Sequence, residues 1–428
     1  MEKLFERGVA EVLPNKEALD SLIKKRKIRI YLGVDPTSPN LHLGHAVVLR
    51  KLRQFQDLGH EVVLLFGTFT AQIGDPSGRD KMRQPLSANE VSANMTTYKK
   101  QAGLILDSSK TVYKENGAWL EKLNFSDIIK LASYFTVQQM IAREGVAKNF
   151  PTVVCRNCKK PFKSPIYFSR EDNMTLINNV TTCPHCGKET IFENKDVFFK
   201  LEARPFWLAE LLYPLMQGYD SVALDVDAEL GGTDQIFNML VGRDLLRSMK
   251  QKEKFVIAVP LLLGLDGRKM SKSYENAVNL LDAPSEMYGK LMSLKDALVA
   301  MYFELCTDIS STAATPRDRK AELAKEIVRM YHGEKKAEKA EREFIRVFVK
   351  KDLPSEIADF TIELPTRDIV YILIKTKMAP SKSQAWRLIR QGGVRFEDKV
   401  IKNPTYQVED DGVIQVGKRH FARVTYKR

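Results

Sequence analysis

The stretch Tyr31–His45, YLGVDPTSPNLHLGH, decides how the rest of the chain is read. It opens inside a strand pattern, KIRIYLGVD, in which Ile28, Ile30 and Leu32 alternate with other residues. The pattern breaks at Asp35-Pro36-Thr37-Ser38-Pro39, because proline fixes φ and turns its predecessor away from helical backbone. His42-Leu43-Gly44-His45 follows and runs directly into AVVLRKLRQFQDL, where Val48, Leu52 and Phe55 recur at three- and four-residue steps and share one helix face. Gly59 then precedes a second apolar run, Glu61 to Phe66. Strand, loop, helix and strand make one βαβ unit. Its crossover sets two imidazoles and a glycine at a helix N-terminus, where free N–H groups and the positive helix end collect anions.

The whole chain has 428 residues, 44% hydrophobic and 28% charged, which fits a globular protein of roughly two to four domains. No apolar run approaches a membrane span, and the opening MEKLFERGVAEVL carries acids and lacks the apolar core of a signal peptide. A cytoplasmic protein is expected. The formal net charge is +13, and residues 366–428 hold 14 Lys+Arg against 6 Asp+Glu, so more than half of the surplus sits in the tail. A basic tail domain points to a polyanion partner, the alternative being a surplus that serves solubility. Of five cysteines, four form Cys155-x-x-Cys158 and Cys183-x-x-Cys186, with 24 residues between the pairs, and Cys306 stands alone. That spacing fits a structural Zn²⁺ held by four thiolates better than disulfides in a cytosolic chain. His185 lies inside the second pair as a possible substitute ligand, and four unliganded thiols are the alternative.

Taken in order, residues 1–27 read as a leading helical segment. GTFTAQIGDPSGRDKMRQPL, residues 67–86, is a long loop beyond a strand's carboxyl end, where ligands sit in open α/β sheets. Ser87-Ala88-Asn89-Glu90 is a capping box opening a helix toward Leu106, and residues 117–148 read as helices. Short β-rich runs surround the cysteines. A helix runs from Phe206 through WLAELLYPLMQGYD with a step at Pro214, and ALDVDAELGGTDQ reads as a strand ending in Gly-Gly at a helix start. IAVPLLLGLDGRKMSKS is a buried strand feeding a Gly- and Lys-rich loop. The expected fold is α/β: a Rossmann-like parallel-sheet domain over 1–283, a zinc-ribbon-like insertion at 151–200, an all-helical domain at 284–351, a linker at 352–365 with Pro354 and Pro365, and a small α+β unit at 366–428. EKKAEKAEREF within the helical domain reads as a solvated face and carries no assigned function.

HLGH at 42–45 resembles the HIGH signature of class I aminoacyl-tRNA synthetases, and KMSKS at 269–273 is that class's second signature. Both occur in the right order, each after an expected strand. YLGVDPTSPNLHLGH, IGDPSG at 73–78, YPLMQGYD at 213–220 and LGGTDQ at 230–235 resemble the blocks of the tyrosyl-tRNA synthetase family. The resemblance spans nearly the whole chain apart from 151–200. It implies two steps: the carboxylate of tyrosine attacks the α-phosphorus of ATP, and the terminal ribose of tRNA(Tyr) then takes the tyrosyl group. The nucleophile is already ionised, so the first step needs alignment and stabilisation of phosphate charge rather than a general base.

By resemblance, Thr37 and His42 contact the terminal phosphates, while His45 and the backbone of Gly44 hold the ribose and base. Lys269 and Lys272 clamp the departing pyrophosphate, and Gly232, Met270, Ser271 and Ser273 complete the ATP site. Asp234 accepts from the ribose, and Gln235 lies near the carboxylate and α-phosphate. Tyr31 and Asp220 grip the phenolic hydroxyl; Asp35 joins the tyrosine site, and Thr70, Asp75, Tyr213 and Gln217 receive the α-ammonium. The spacing of Tyr213, Gln217 and Asp220 puts all three on one helix face. Mg²⁺ is expected with the ATP phosphates, although no carboxylate cage is visible. A homodimer through the region around 120–150 and beyond is expected by analogy with the family. The tail resembles an S4-like RNA-binding domain, with Lys382, Arg387 and Arg390 near one polar side of its helix; the helical region supplies anticodon-side contacts. A tryptophan enzyme of the same class, and an RNA-binding protein on the same scaffold, are the competing readings; Tyr31 with Asp220 argues against the first and the two intact signatures against the second.

Overall fold

The computed structural model describes residues 4–74, 86–141, 152–163, 180–191, 197–198, 208–271, 274–350, 352–355, 357–417 and 420–427. The chain divides into two compact units, residues 1–334 and 335–428.

The first unit is built on a six-stranded sheet in the order β1-β11-β10-β2-β3-β4. Its elements up to the insertion are β1 Glu11–Leu13, α1 Lys16–Lys25, β2 Arg29–Val34, α2 Leu43–Asp57, β3 Glu61–Phe66, α3 Thr70–Ile73, α4 Ala88–Ala102, β4 Thr111–Glu115, α5 Gly117–Leu120, α6 Phe125–Ala132 and α7 Val137–Ile141. The insertion carries short strands β5 Thr152–Val154, β6 Pro161–Lys163, β7 Val180–Thr182, β8 Glu189–Ile191 and β9 Val197–Phe198. Then come α8 Leu208–Leu224, β10 Ala228–Gly232, a 3₁₀ turn Thr233–Gln235, α9 Ile236–Lys250, β11 Phe255–Val259, α10 Pro284–Met292, α11 Val299–Cys306 and α12 Pro316–His332.

Strands β11, β10, β2, β3 and β4 are all parallel, with Tyr31 beside Val63 on one side and beside Glu229 on the other. The chain leaves β2 for β3 in one direction and returns at β10 in the other. The carboxyl ends of β2 and β10 therefore flank the point where the winding reverses, and a crevice opens there. β3 and β11 are buried along almost their whole length, as strands covered on both faces must be. Helix α2 buries Leu49, Leu52 and Phe55 together with Ala46 and Val47, while Val48 is half-buried. Its buried stripe is wider than a three-residue reading gives because α11 packs against it as well as the sheet. The leading segment is not all helix: Glu11–Leu13 pairs antiparallel with β11 and covers what would otherwise be a bare sheet edge. A local pattern cannot reveal that partner, which lies about 245 residues away in sequence.

The boundary falls at the first residue of helix α13 Glu334–Phe344, so the second unit opens with the rest of that helix and a π-turn Ile345–Val349. It continues through β12 Ala358–Glu363, α14 Ile369–Lys375, α15 Lys382–Arg390, β13 Val394–Phe396, β14 Lys399–Ile401, β15 Gly412–Val416 and β16 His420–Lys427. Its sheet runs β12-β16-β15-β13-β14, and Ile372, Ala385, Ile389, Val394 and Ile414 form the core beneath the two helices. The stretch read as a linker thus holds a strand, β12, paired parallel to β16 over six residues. Only Ile362 of β12 is buried, so its alternation carries little apolar signal.

Candidate active site

The crevice at the winding reversal is a cavity of about 280 Å³. Tyr31, Asp35, Thr37, His45, Thr70, Tyr213, Gln217, Asp220, Asp234, Gln235 and Lys269 all line it, although they come from five separate stretches of chain. His42, Gly44, Gly232, Met270 and Ser271 lie outside that lining, and Asp75, Lys272 and Ser273 lie outside the described residues.

His42 caps α2, and its backbone N–H donates to Nδ1 of His45 at 3.2 Å. A neutral imidazole that accepts at Nδ1 carries its hydrogen on Nε2, so His45 is a donor at that atom. The two rings lie 4.0 Å apart. Burial, then the charge of Lys269, brings His45 down to about 4, against the lift from its bond to the His42 backbone. Burial also holds His42 well below the ordinary imidazole range, helped by His45 and Lys269. Both rings are neutral at pH 7. Gly44 makes room for them: a Cβ there would meet Cε1 and Nδ1 of His42 at 3.0 Å, with Met270 Sδ at 3.9 Å. Nδ1 of His42 is buried with no partner among the described residues.

Asp35 collects two hydroxyls, from Thr70 and from Tyr213, each at 2.8 Å. Gly67 lets them meet, because a Cβ at that position would fall 1.9 Å from Asp35 Oδ1 and 2.3 Å from Thr70 Oγ1. Gln217 accepts from Asn238 at 2.8 Å, and the same amide reaches Gln235 at 3.0 Å. Asp220 is buried and accepts from Trp119 Nε1 at 2.8 Å and Asn116 Nδ2 at 3.3 Å. Burial pushes its carboxyl well above the usual carboxylate range, against those two hydrogen bonds and with further lift from Glu229 and Asp35. Asn116 also bonds Thr70 at 3.0 Å and fixes the backbone of Phe69 at 2.9 Å, so one amide ties three parts of the cavity together. Asn116, Trp119, Gly67 and Asn238 are not legible as site residues in the sequence. The available signal is position: Gly67 directly follows β3 and Asn116 directly follows β4, each at a strand's carboxyl end.

Lys269 donates to Asp234 at 2.6 Å. Both groups are partly exposed, so the pair is worth on the order of 1 kcal/mol or less and gives way easily to a ligand. Ser271 is anchored instead to buried Asn276, its N–H donating at 2.9 Å.

In the insertion, the ligand atoms of Cys155, Cys158, Cys183 and Cys186 all lie within 4.8 Å of one another, with sulfur separations of 3.8 Å (155 to 186) and 3.7 Å (158 to 183). A tetrahedron with metal–sulfur bonds of about 2.3 Å has edges of about 3.8 Å. The two knuckles repeat each other. Lys159 and Gly187 sit at equivalent turns with φ of 60° and 69°, and each donates its N–H to the first cysteine's carbonyl, at 2.8 and 2.9 Å. Backbone N–H groups of Cys158 and His185 point at Cys155 and Cys183 sulfurs at 3.5 and 3.4 Å. His185 is not a fifth member: its Nε2 lies 3.2 Å from the Pro161 carbonyl. Among the described residues this is the one group of three or more such side chains arranged for a metal.

In the second unit, exposed Lys382, Arg387 and Arg390 border one surface depression together with Trp386, and the Arg390 guanidinium lies 5.1 Å from the centre of that ring.

A family model for tRNA synthetases class I (W and Y) matches residues 23–156 and 166–349, and an S4 domain model matches residues 369–414. The chain belongs to the class I tRNA synthetases of this family. The Tyrosine--tRNA ligase of Thermotoga maritima is 42% identical over 99% of this chain and 96% of its own length; that of Moorella thermoacetica is 40% identical over 99% and 95%. Within the class, its place is therefore among the tyrosyl-tRNA synthetases. A solved structure of a C-terminally truncated mitochondrial tyrosyl-tRNA synthetase from Aspergillus nidulans aligns with a TM-score of 0.57 at 21% identity, covering 81% of this chain and 93% of that one, and shares its fold.

Proposed function

We infer that this chain activates L-tyrosine with ATP and passes the tyrosyl group to the 3′ end of tRNA(Tyr), by the residue roles that follow. The observation that carries the assignment of roles is a single cavity lined both by Tyr31, Asp220, Tyr213 and Gln217 and by Thr37, His45, Asp234 and Lys269. Tyr31 and Asp220 read the phenolic hydroxyl. A site that hydrogen-bonds this group rejects phenylalanine strongly, and this enzyme family is itself the standing example of that principle. Asp35, Thr70, Asp75, Tyr213 and Gln217 form the amino-acid site, with Gln235 beside the reacting carboxylate.

ATP enters with Mg²⁺ on its phosphates and exchanges the Lys269–Asp234 pair for contacts of its own: Asp234 to the ribose, and Lys269 with Lys272 to the pyrophosphate. Thr37 and His42 donate to the phosphates. His45 and Gly44 hold the nucleoside, with Gly232, Met270, Ser271 and Ser273 around it. Neutral imidazoles suit this work, since they donate without needing a proton from solution. ATP–pyrophosphate exchange with each of the twenty amino acids tests the reading. Exchange with tyrosine alone is expected, and exchange driven by tryptophan, or by none, contradicts it.

Four cysteines of matched geometry support a structural Zn²⁺ in the insertion, where it ties the two knuckles together. The exposed Phe125, Ile129 and Val137 of α6 and α7 support a homodimer through this face. The S4 match and the depression bordered by Lys382, Arg387 and Arg390 support tRNA contact by the second unit, and the helices of 284–351 take the anticodon side. Cysteines outside any disulfide, and the translational role, favour a cytoplasmic setting.

A further inference from the structure

Behind the tyrosine pocket lies a polar cluster, two of whose members, Ser221 and Lys254, do not line the cavity. The Tyr31 hydroxyl is 2.9 Å from Ser221 Oγ. Lys254 Nζ donates to the same oxygen at 2.8 Å and is ion-paired with Glu229. Ser221 and Lys254 are both fully buried, and neither lines the cavity, whereas Tyr31 and Glu229 do. A buried ion pair costs desolvation on both sides and is a poor device for stability alone. Its position beside a recognition hydroxyl therefore asks for another reason.

Hydrogen counting supplies one. Ser221 Oγ has one hydrogen and two lone pairs, and the Lys254 ammonium can only donate, so it takes one lone pair. Two neighbours compete for the serine hydrogen: Tyr31 oxygen at 2.9 Å and Glu229 Oε2 at 3.4 Å. Glu229 is already engaged by Lys254, and the shorter contact is to Tyr31. Glu229, the register partner of Tyr31 on the neighbouring strand, also interacts with the Tyr31 hydroxyl, and its pairing with Lys254 weakens its hold on the tyrosine hydrogen.

We propose that Ser221 and Lys254 are positioning residues for tyrosine recognition: Lys254 occupies Glu229 and one Ser221 lone pair, Ser221 donates to Tyr31, and the Tyr31 hydrogen is left for the phenolic oxygen of the substrate. Asp220, the residue before Ser221 on α8, accepts the substrate's own hydrogen, so two consecutive residues serve the two halves of one hydroxyl. This rests on the assignment of Tyr31 and Asp220 to the phenol.

The test is kcat/KM for tyrosine and for phenylalanine in pyrophosphate exchange, in Ser221→Ala, Tyr31→Phe and the double variant. Ser221→Ala is expected to lower the value for tyrosine about tenfold and leave phenylalanine unchanged, because phenylalanine has no hydroxyl to receive the bond. On the Tyr31→Phe background Ser221→Ala is expected to add nothing. An equal fall for both amino acids, no fall, or an additive fall in the double variant overturns the proposal. If Tyr31→Phe leaves the tyrosine preference intact, the pocket assignment itself fails and this proposal with it. Should Ser221→Ala not fold, the paired Lys254→Met/Glu229→Leu variant, which removes both members of the ion pair together, is expected to show the same tyrosine-only loss. A loss shared equally with phenylalanine counts against the proposal there too.

Discussion

At the residue scale, the cavity shows which functions can be read from a motif and which need three dimensions. His42, Gly44 and His45 sit within four residues, and their helix-capping geometry follows from their order in the chain. The Lys269–Asp234 pair joins two motifs 35 residues apart, and each motif was legible alone. If Lys269 acts on the leaving pyrophosphate, its contact forms mainly in the transition state. Lys269→Ala is then expected to slow single-turnover adenylate formation on the order of 10²-fold while tyrosine affinity by equilibrium titration changes little. Parallel losses in rate and affinity would contradict that role. Asn116 and Trp119 are not legible in the sequence because an asparagine and a tryptophan after a strand have many ordinary uses. Only the approach of β4 to α8 brings them onto Asp220. Gly67 is not legible for a related reason: its demand comes from Asp35 and Thr70 crowding it, which no local turn pattern announces.

At the scale of the element, the βαβ unit and the cysteine knuckles were legible because their signals are local and periodic, or fixed by spacing. β1 and β12 were not, since each is an edge strand whose partner is remote in sequence. The knuckles carry a direct expectation. Metal analysis of freshly purified protein should find one zinc per chain, and Cys183→Ser should lose it and lower the thermal midpoint. Protein that contains no zinc yet has an undisturbed insertion would remove the metal from the account. Helix α6 carries another: Phe125 and Ile129 lie one turn apart and are 79% and 56% exposed, so they form a continuous apolar face. The paired change Phe125→Asp/Ile129→Asp is expected to halve the mass seen by sedimentation. A monomeric wild-type protein, or an unchanged dimer, would exclude this face as the interface.

For the whole molecule, the proposed division of labour is between a unit that makes the adenylate and a basic unit that holds RNA. Replacing Lys382, Arg387 and Arg390 with alanine is expected to leave pyrophosphate exchange unchanged. The same variant should weaken tRNA charging and flatten the salt dependence of tRNA binding, the log–log slope falling by about one for each phosphate that is no longer neutralised. Loss of exchange in that variant would mean the helix serves the fold rather than the RNA. The first unit's chemistry has its own signature in pH. The neutral state of His45 favours the folded chain above the unfolded imidazole value near 6.5, and that contribution is lost as pH falls toward about 4. Near neutrality neither imidazole changes charge, and the attacking carboxylate is ionised throughout. The most direct test of activation by alignment and charge stabilisation is therefore the single-turnover rate of tyrosyl-adenylate formation, at saturating tyrosine and Mg²⁺–ATP, from about pH 6 to about pH 8. A rate that stays flat across that range is the result expected here; an inflection near 6.5, marking a histidine that must gain or lose a proton, would contradict it.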